Sequence, residues 1–274
     1  MPRAPYRGAV ARSRPVGVVT RGTTNPNRLR RVDRWLVGPQ ARRLRGHRGI
    51  PVVVDLGYGA SPITTVELAD RLRPVRPDVE VVGIEIDPVR VEGARPLERP
   101  GLRFDVGGFE VPLAQGARPL LVRAFNVLRQ YDESTVGAAW DLVRSRLTPD
   151  GLLVDGTCDE LGRLATWVAV EASGPVSLTL SWRLRGLTRP SVVAERLPKA
   201  LIHRNVEGEP VHAFLAELDE QWARAAGHAA YGVRQRFRVT CEAMADSGWP
   251  LLDGPARWRL GELTVAWAAV APLP

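Results

Sequence analysis

At 274 residues, 45% hydrophobic and 25% charged, the chain can bury a full core, so one domain, or one domain with an arm, is expected. No apolar run approaches the ~20 residues that cross a bilayer, and the N-terminus lacks the apolar block of a secretory signal. Two cysteines far apart, Cys158 and Cys241, fit neither a disulfide scaffold nor a structural zinc site, so no metal, no membrane and a reducing cytoplasm are expected.

The charge is uneven. Residues 1–48 hold thirteen arginines against one acid, Asp33, a net of +12 in a chain whose total is +8. A basic arm on a mildly acidic body predicts a polyanionic partner. Residues 1–22 are rich in Arg, Pro, Gly and Ala without periodicity and read as disordered. NPNRLRRVDRWLV predicts a helix with Asn25 as its cap and Pro26 in its first turn. Leu29, Val32 and Leu36 would share one face, with Arg28, Arg31 and Arg34 as a cationic flank.

From residue 51 strand-like and helix-like segments alternate, the pattern of a parallel sheet covered on both faces. PVVVDLG is a strand and SPITTVELADRL the helix after it. VEVVGIEID is the second strand, followed by a short helix near PVRVEGA, and GLRFDVG and PLLVRAFNVL are the third and fourth. ESTVGAAWDLVRSRL is helical, and TPDG turns the chain into the strand LLVDGT. TWVAVE and VSLTLSW form a hairpin across ASGP. Two amphipathic helices follow, one with Phe214, Leu218, Trp222 and Ala225 on a stripe, the other with Val233, Phe237, Cys241 and Met244 and a stop at Gly248. GELTVAWAAVAPLP closes as an apolar strand. The expected division is a basic arm with one amphipathic helix, 1–48, and a doubly wound α/β domain, 49–274, with a hairpin or lid insertion at about 165–211.

In such folds a ligand sits at the carboxyl ends of the strands, where the first strand-to-helix turn lies. Gly57 and Gly59 let the backbone approach it, and Ser61 can cap the helix with Pro62 behind it. The exposed N–H groups there attract an anion. A dinucleotide fingerprint would put glycine where Pro62 stands, and Glu85 lies 28 residues beyond Gly57 rather than ~20, so a nicotinamide cofactor is disfavoured. No Gly-Lys-Ser/Thr follows, which excludes a P-loop.

Taken in order, the segments DLGYGAS, VVGIEIDP, RFDVGG and NVLRQY resemble the class I S-adenosylmethionine-dependent methyltransferases. The likeness covers roughly residues 25–164 and 240–274; it departs at Ser61, which replaces a third glycine, and at Leu120, where the family often has aspartate. It implies a Rossmann-like, mostly parallel sheet with a C-terminal antiparallel strand pair, the latter carried by DSGWPLLDG and GELTVAWAAVAP. It implies S-adenosylmethionine as cofactor, with Asp55 orienting the loop and the methionine amino group, and Gly57, Tyr58, Gly59 and Ser61 lining the methionine part. Glu85 would hold the ribose, Asp105 and the backbone of Val106 the adenine, and Asn126 would stand at the end of the fourth strand. Asp87, by contrast, reads as a helix start.

Methyl transfer requires positioning above all, so the catalytic group is not fixed by sequence. Asn126 and Cys158 are the candidates. Cys158 follows Thr157 as in the RNA 5-methylcytosine methyltransferases, but their second motif is Phe125-Asn126 here, and Asp159 and Glu160 would raise the thiol pKa. Arg123 lies mid-strand, where it pairs with a carboxylate or reaches a substrate anion with Asn126 and Arg129. Cys241 reads as core; His203 and His212 stand near the expected lid without a metal-ligand cluster. Two acceptors follow. RNA would be held by Arg28, Arg31, Arg34, Arg129 and the tail; a small molecule would sit in an apolar pocket shaped by Trp167 and Trp182. A third reading is a non-catalytic binding protein that keeps the fold.

Overall fold

The computed structural model describes residues 15–19 and 24–274, and the expectation of disorder over 1–22 falls mostly outside them. The chain enters through helices α1 (Arg30–Val37) and α2 (Ala41–Gly46). It then alternates β1 (Val52–Leu56), α3 (Ile63–Leu72), β2 (Glu80–Glu85), α4 (Pro88–Ala94), β3 (Leu102–Val106), β4 (Leu121–Phe125), α5 (Val136–Arg146) and β5 (Leu152–Cys158). The hairpin β6 (Leu164–Glu171) and β7 (Gly174–Trp182) follows, then α6 (Lys199–Ile202), α7 (Pro210–Arg224), α8 (Val233–Asp246), α9 (Pro255–Trp258) and β8 (Glu262–Ala266). All eight strands form one sheet in the order β3-β2-β1-β4-β5-β6-β7-β8.

Strands β1 to β5 pair in parallel and β5 to β8 antiparallel, which is the doubly wound, Rossmann-like sheet the sequence predicts, with antiparallel strands at its C-terminal end. The membership of that antiparallel set differs from expectation. The final stretch supplies β8 and an isolated bridge, Leu251 to Val265, and β8 pairs with β7. The hairpin is buried on both faces, so it extends the sheet beyond β5 rather than covering a site. Trp167 and Trp182 are fully buried: Trp167 packs edge-on to Trp35 at 5.8 Å and Trp182 against Phe237 at 5.3 Å. They build core, not an acceptor pocket.

Side chains alternate across the parallel strands, and so does the core. Val52, Val54 and Leu56 face a layer holding Trp140, Phe214 and Phe237, while Val53 faces one holding Leu36, Leu68 and Phe104. Residues 29–44 of the expected arm contribute Val32, Leu36 and Leu44 to the second layer. α1 begins at Arg30 with no side-chain cap, five residues after Asn25, whose amide donates instead to the Glu160 carbonyl.

The single acid of the arm anchors it. Asp33 is fully buried and accepts from Arg123 of β4 and from Arg71 of α3. Arg123 also donates from Nε and Nη2 to the two oxygens of Asp55, at 2.9 and 2.7 Å, and to the Thr64 carbonyl at 3.0 Å. Burial works against the Arg123 charge, but the carboxylates of Asp33 and Asp55 outweigh it and raise its pKa. Arg123 is thus a structural cation, joined to a carboxylate on either side.

Candidate active site

The turn after β1 is held from below. Gly57 donates to the Ile84 carbonyl at 2.7 Å and Gly59 to Glu85 Oε2 at 2.8 Å. Both glycines have φ in the left-handed region, +69° and +80°, and a Cβ on Gly57 would stand 2.7 Å from a Val127 methyl. Glu85 ends β2 almost fully buried. Its Oε1 accepts from Ile86 N at 3.0 Å and lies 3.7 Å from Arg90 Nη1. A desolvated carboxylate at the end of a parallel strand, facing a side-chain-free turn, suits the hydroxyls of a nucleoside.

Gly57 and Glu85 line a small cleft with Ile86, Gly107, Phe109, Val127 and Tyr131. Beside it lies a larger cavity of about 600 Å³, bounded by Arg28, Asn126, Arg129, Cys158, Glu195 and Arg196, among others. The two meet across one segment, residues 126–131 after β4. Val127 and Tyr131 face the cleft, whereas Asn126, Arg129 and Gln130 face the cavity. Asn126 is held with φ +60°; its Oδ1 accepts from Cys158 N at 3.0 Å and its Nδ2 lies 3.4 Å from Cys158 Sγ.

Several predicted contacts move. Asp55 is spent on Arg123 and on the Thr65 hydroxyl at 2.7 Å, so it does not face the cleft. The Tyr58 ring packs edge-on to Phe104 at 5.5 Å with its hydroxyl buried and unpaired, and burial raises its pKa. Ser61 caps nothing, because α3 starts at Ile63 without a side-chain cap. Asp105 turns to Arg103, 3.2 Å away on the same face of β3, and Val106 is exposed; Gly107 to Phe109 form the cleft wall instead. Asn126 belongs to the cavity rather than to the cleft. Asp87 caps α4, accepting from Val89 N at 2.9 Å, as the sequence predicts.

The cationic flank is also redistributed. Arg31 is buried and donates to the Gly162 carbonyl and to Ser181 Oγ, each at 3.0 Å. Arg28 donates to the Asp159 carbonyl at 3.0 Å and borders the cavity; Arg34 is exposed. Arg129 does reach the cavity, beside Arg196, which sequence reasoning missed. Burial, and then the Arg196 charge, lower the Arg129 pKa. Burial pushes the Cys158 thiol up, ahead of any effect of its acidic neighbours, which weighs against a thiolate nucleophile. Cys241 is core, and neither His203 nor His212 borders the cleft or the cavity. Ile86, Phe109 and Tyr131 carried no sequence signal beyond lying at or just after the ends of predicted strands.

Five parallel strands in the order β3-β2-β1-β4-β5, a glycine turn after β1 and a buried acid ending β2 give the chain the class I S-adenosylmethionine-dependent methyltransferase fold. The cofactor of that class is S-adenosylmethionine, and Gly57, Glu85 and the Gly107–Phe109 wall fit it. No family model and no curated protein matches the sequence. Among solved structures the chain is similar to magnesium protoporphyrin IX methyltransferase of Synechocystis PCC 6803, at 18% identity over 48% of this chain and 55% of that one, with a TM-score of 0.36. A TehB-like methyltransferase of Corynebacterium glutamicum is similar at 21% identity over 49% of this chain and 74% of that one, TM-score 0.32. The CMeT domain of the citrinin polyketide synthase is similar at 19% identity over 41% of this chain and 30% of that one, TM-score 0.35. The chain thus covers less than two thirds of the length of the first and third of these, and likeness at this level carries no acceptor to it. No helix among the described residues is long and apolar enough to cross a membrane.

Proposed function

We propose that the chain is an S-adenosylmethionine-dependent methyltransferase whose acceptor is a small molecule carrying an anionic group. The observation that carries this is the junction at residues 126–131, where the cofactor cleft and a cavity of about 600 Å³ share one wall. That volume suits a small molecule. When bound, S-adenosylmethionine supplies an electrophilic methyl group on a sulfonium. Glu85 and the glycine turn would position the nucleoside, and the Asn126–Cys158 pair fixes the wall between the two sites.

Arg129 and Arg196 support the anionic group. They crowd one wall of the cavity; Arg129 donates to the Glu195 carbonyl at 3.1 Å, and Arg196 Nε is buried without a hydrogen bond, 3.5 Å from Glu195 Oε1. Glu195 is the carboxylate nearest this pair, while Asp159 and Glu160 line the cavity on the side of Arg28, so a substrate carboxylate or phosphate would meet the Arg129–Arg196 wall. RNA has less support. A phosphate held by Arg31 would have to displace its buried contacts to Gly162 and Ser181, and the arginines at 3, 7, 12, 14 and 21 lie outside the described residues. The test is transfer of isotope-labelled methyl to a panel of small carboxylic acids and their neutral amides, with a short RNA in parallel. Preference for acids, lost in Arg129→Gln, supports the reading; transfer to RNA alone contradicts it.

A further inference from the structure

The cofactor cleft is not open. Residues Pro15–Val19, from the stretch that composition alone reads as disordered, lie across it, with Val16, Gly17 and Val18 forming part of its lining. Three hydrogen bonds tether them. Val16 donates to Glu110 Oε2 at 2.8 Å, Phe109 N donates to the Val16 carbonyl at 3.0 Å, and Val18 donates to the Tyr131 hydroxyl at 2.7 Å. The fit is shaped on both sides. A Cβ on Gly108 would collide with the Val16 carbonyl, and a Cβ on Gly17, whose φ is +139°, would stand 2.9 Å from the Tyr131 hydroxyl and within van der Waals contact of Ile86 and Phe109. With this segment in place the cleft measures about 20 Å³, room for one water, whereas ligand sites run to hundreds of Å³.

Yet the hold is light. Val16, Val18 and Val19 are 46%, 55% and 49% exposed, so the segment buries little apolar surface and is of the kind that opens locally. Resting on the cofactor assignment above, we infer that Val16–Val18 is an internal plug of the S-adenosylmethionine cleft: it occupies the cleft in the free protein and must lift away before the cofactor enters. Plug and cofactor compete for the same walls, Ile86, Phe109 and Tyr131, and a competing closed state weakens apparent affinity by the fraction of molecules that are open. Cofactor uptake is then governed by the N-terminal segment, and anything that binds that segment elsewhere would favour loading.

The test is titration of S-adenosylmethionine and S-adenosylhomocysteine into the full chain and into Gly17→Val. The substitution strains the plug against Tyr131 and leaves Gly57, Glu85 and the Gly107–Phe109 wall unchanged. A second form lacking residues 1–19 removes the plug altogether. Both should bind the two ligands about tenfold more tightly than wild type, with faster association. In the wild type, the plug's own amides, Val16 and Val18, should exchange more slowly with solvent when the protein is free than once ligand is bound. Equal or weaker binding by both variants, or slower exchange on binding, would show that the segment is inert or is a lid that helps hold the ligand, and would overturn the inference. If no form binds either ligand, the cofactor assignment itself falls, and the plug with it.

Discussion

Two clusters of arginines and acids near the candidate site are built from the same residue types and put to opposite uses. Beneath the glycine turn, Arg123 is fully buried and its donors are met by Asp55, Asp33 and the Thr64 carbonyl. On the cavity wall, Arg129 and Arg196 are partly open; Arg129 donates to the Glu195 carbonyl, and Arg196 Nε lies 3.5 Å from the Glu195 carboxylate without a hydrogen bond. The difference is completeness. A saturated buried cluster joins α1, β1 and β4 and has nothing left to offer a ligand, whereas the partly exposed Arg129–Arg196 pair borders a cavity and can be met there by a substrate.

The largest consequence falls on the saturated cluster. Arg123→Met would leave Asp33 and Asp55 buried without their shared cation, and chemical denaturation should show a loss of about 3–5 kcal/mol. A loss under 1 kcal/mol would mean that the cluster is not what holds α1 to the sheet.

Asp155 sharpens the contrast, as a buried carboxyl with no cation. Burial pushes its pKa up to about 7, against the hydrogen bond it accepts from Trp140 Nε1 at 3.0 Å. The folded state holds this proton more tightly than the unfolded chain, whose aspartate titrates near ~3.9. The stabilisation is therefore present in full below about pH 4 and lost as pH rises through 7. Between pH 5 and 8 it should fall by about 2–3 kcal/mol, and Asp155→Asn should flatten that slope. A slope unchanged by the substitution would place the pH dependence elsewhere.

Gly57→Ala should cost about 1–2 kcal/mol in stability, through its φ of +69° and the close Val127 methyl, and should weaken cofactor binding besides. Smallest is the effect of Arg129→Gln on melting, within about 0.5 kcal/mol, although the same change should abolish acceptor discrimination. A large loss of stability there would erase the distinction between the two clusters.

The parallel half of the fold was legible because its strands are short apolar runs ending in a turn or an acid, and Glu85 was placed by the resemblance that VVGIEIDP carries. What strand-end arithmetic could not supply was facing and long-range partnership. Asp55 and Asp105 stand at the expected positions, yet one is claimed by an arginine 68 residues away and the other by its neighbour two residues back. Arg31 reads as a surface cation on a helical wheel, but its partners, Gly162 before the hairpin and Ser181 in it, are 131 and 150 residues distant. The N-terminal segment carried no signal because three hydrogen bonds and a shaped glycine, rather than periodicity, fix it in place. Arg196 ends a 3-10 helix, Pro190–Arg196, that the sequence did not signal, and only the folded chain brings it beside Arg129.

The central claim is that Glu85 and the glycine turn form an S-adenosylmethionine site. Calorimetric titration of S-adenosylmethionine and S-adenosylhomocysteine into wild type and Glu85→Gln tests it most directly, with thermal melting to confirm that the variant is folded. Micromolar binding by wild type, weakened by about 1–3 kcal/mol when the carboxylate becomes an amide, is the predicted result. Absence of binding by wild type and by Gly17→Val alike, or equal binding by folded Glu85→Gln, would contradict it.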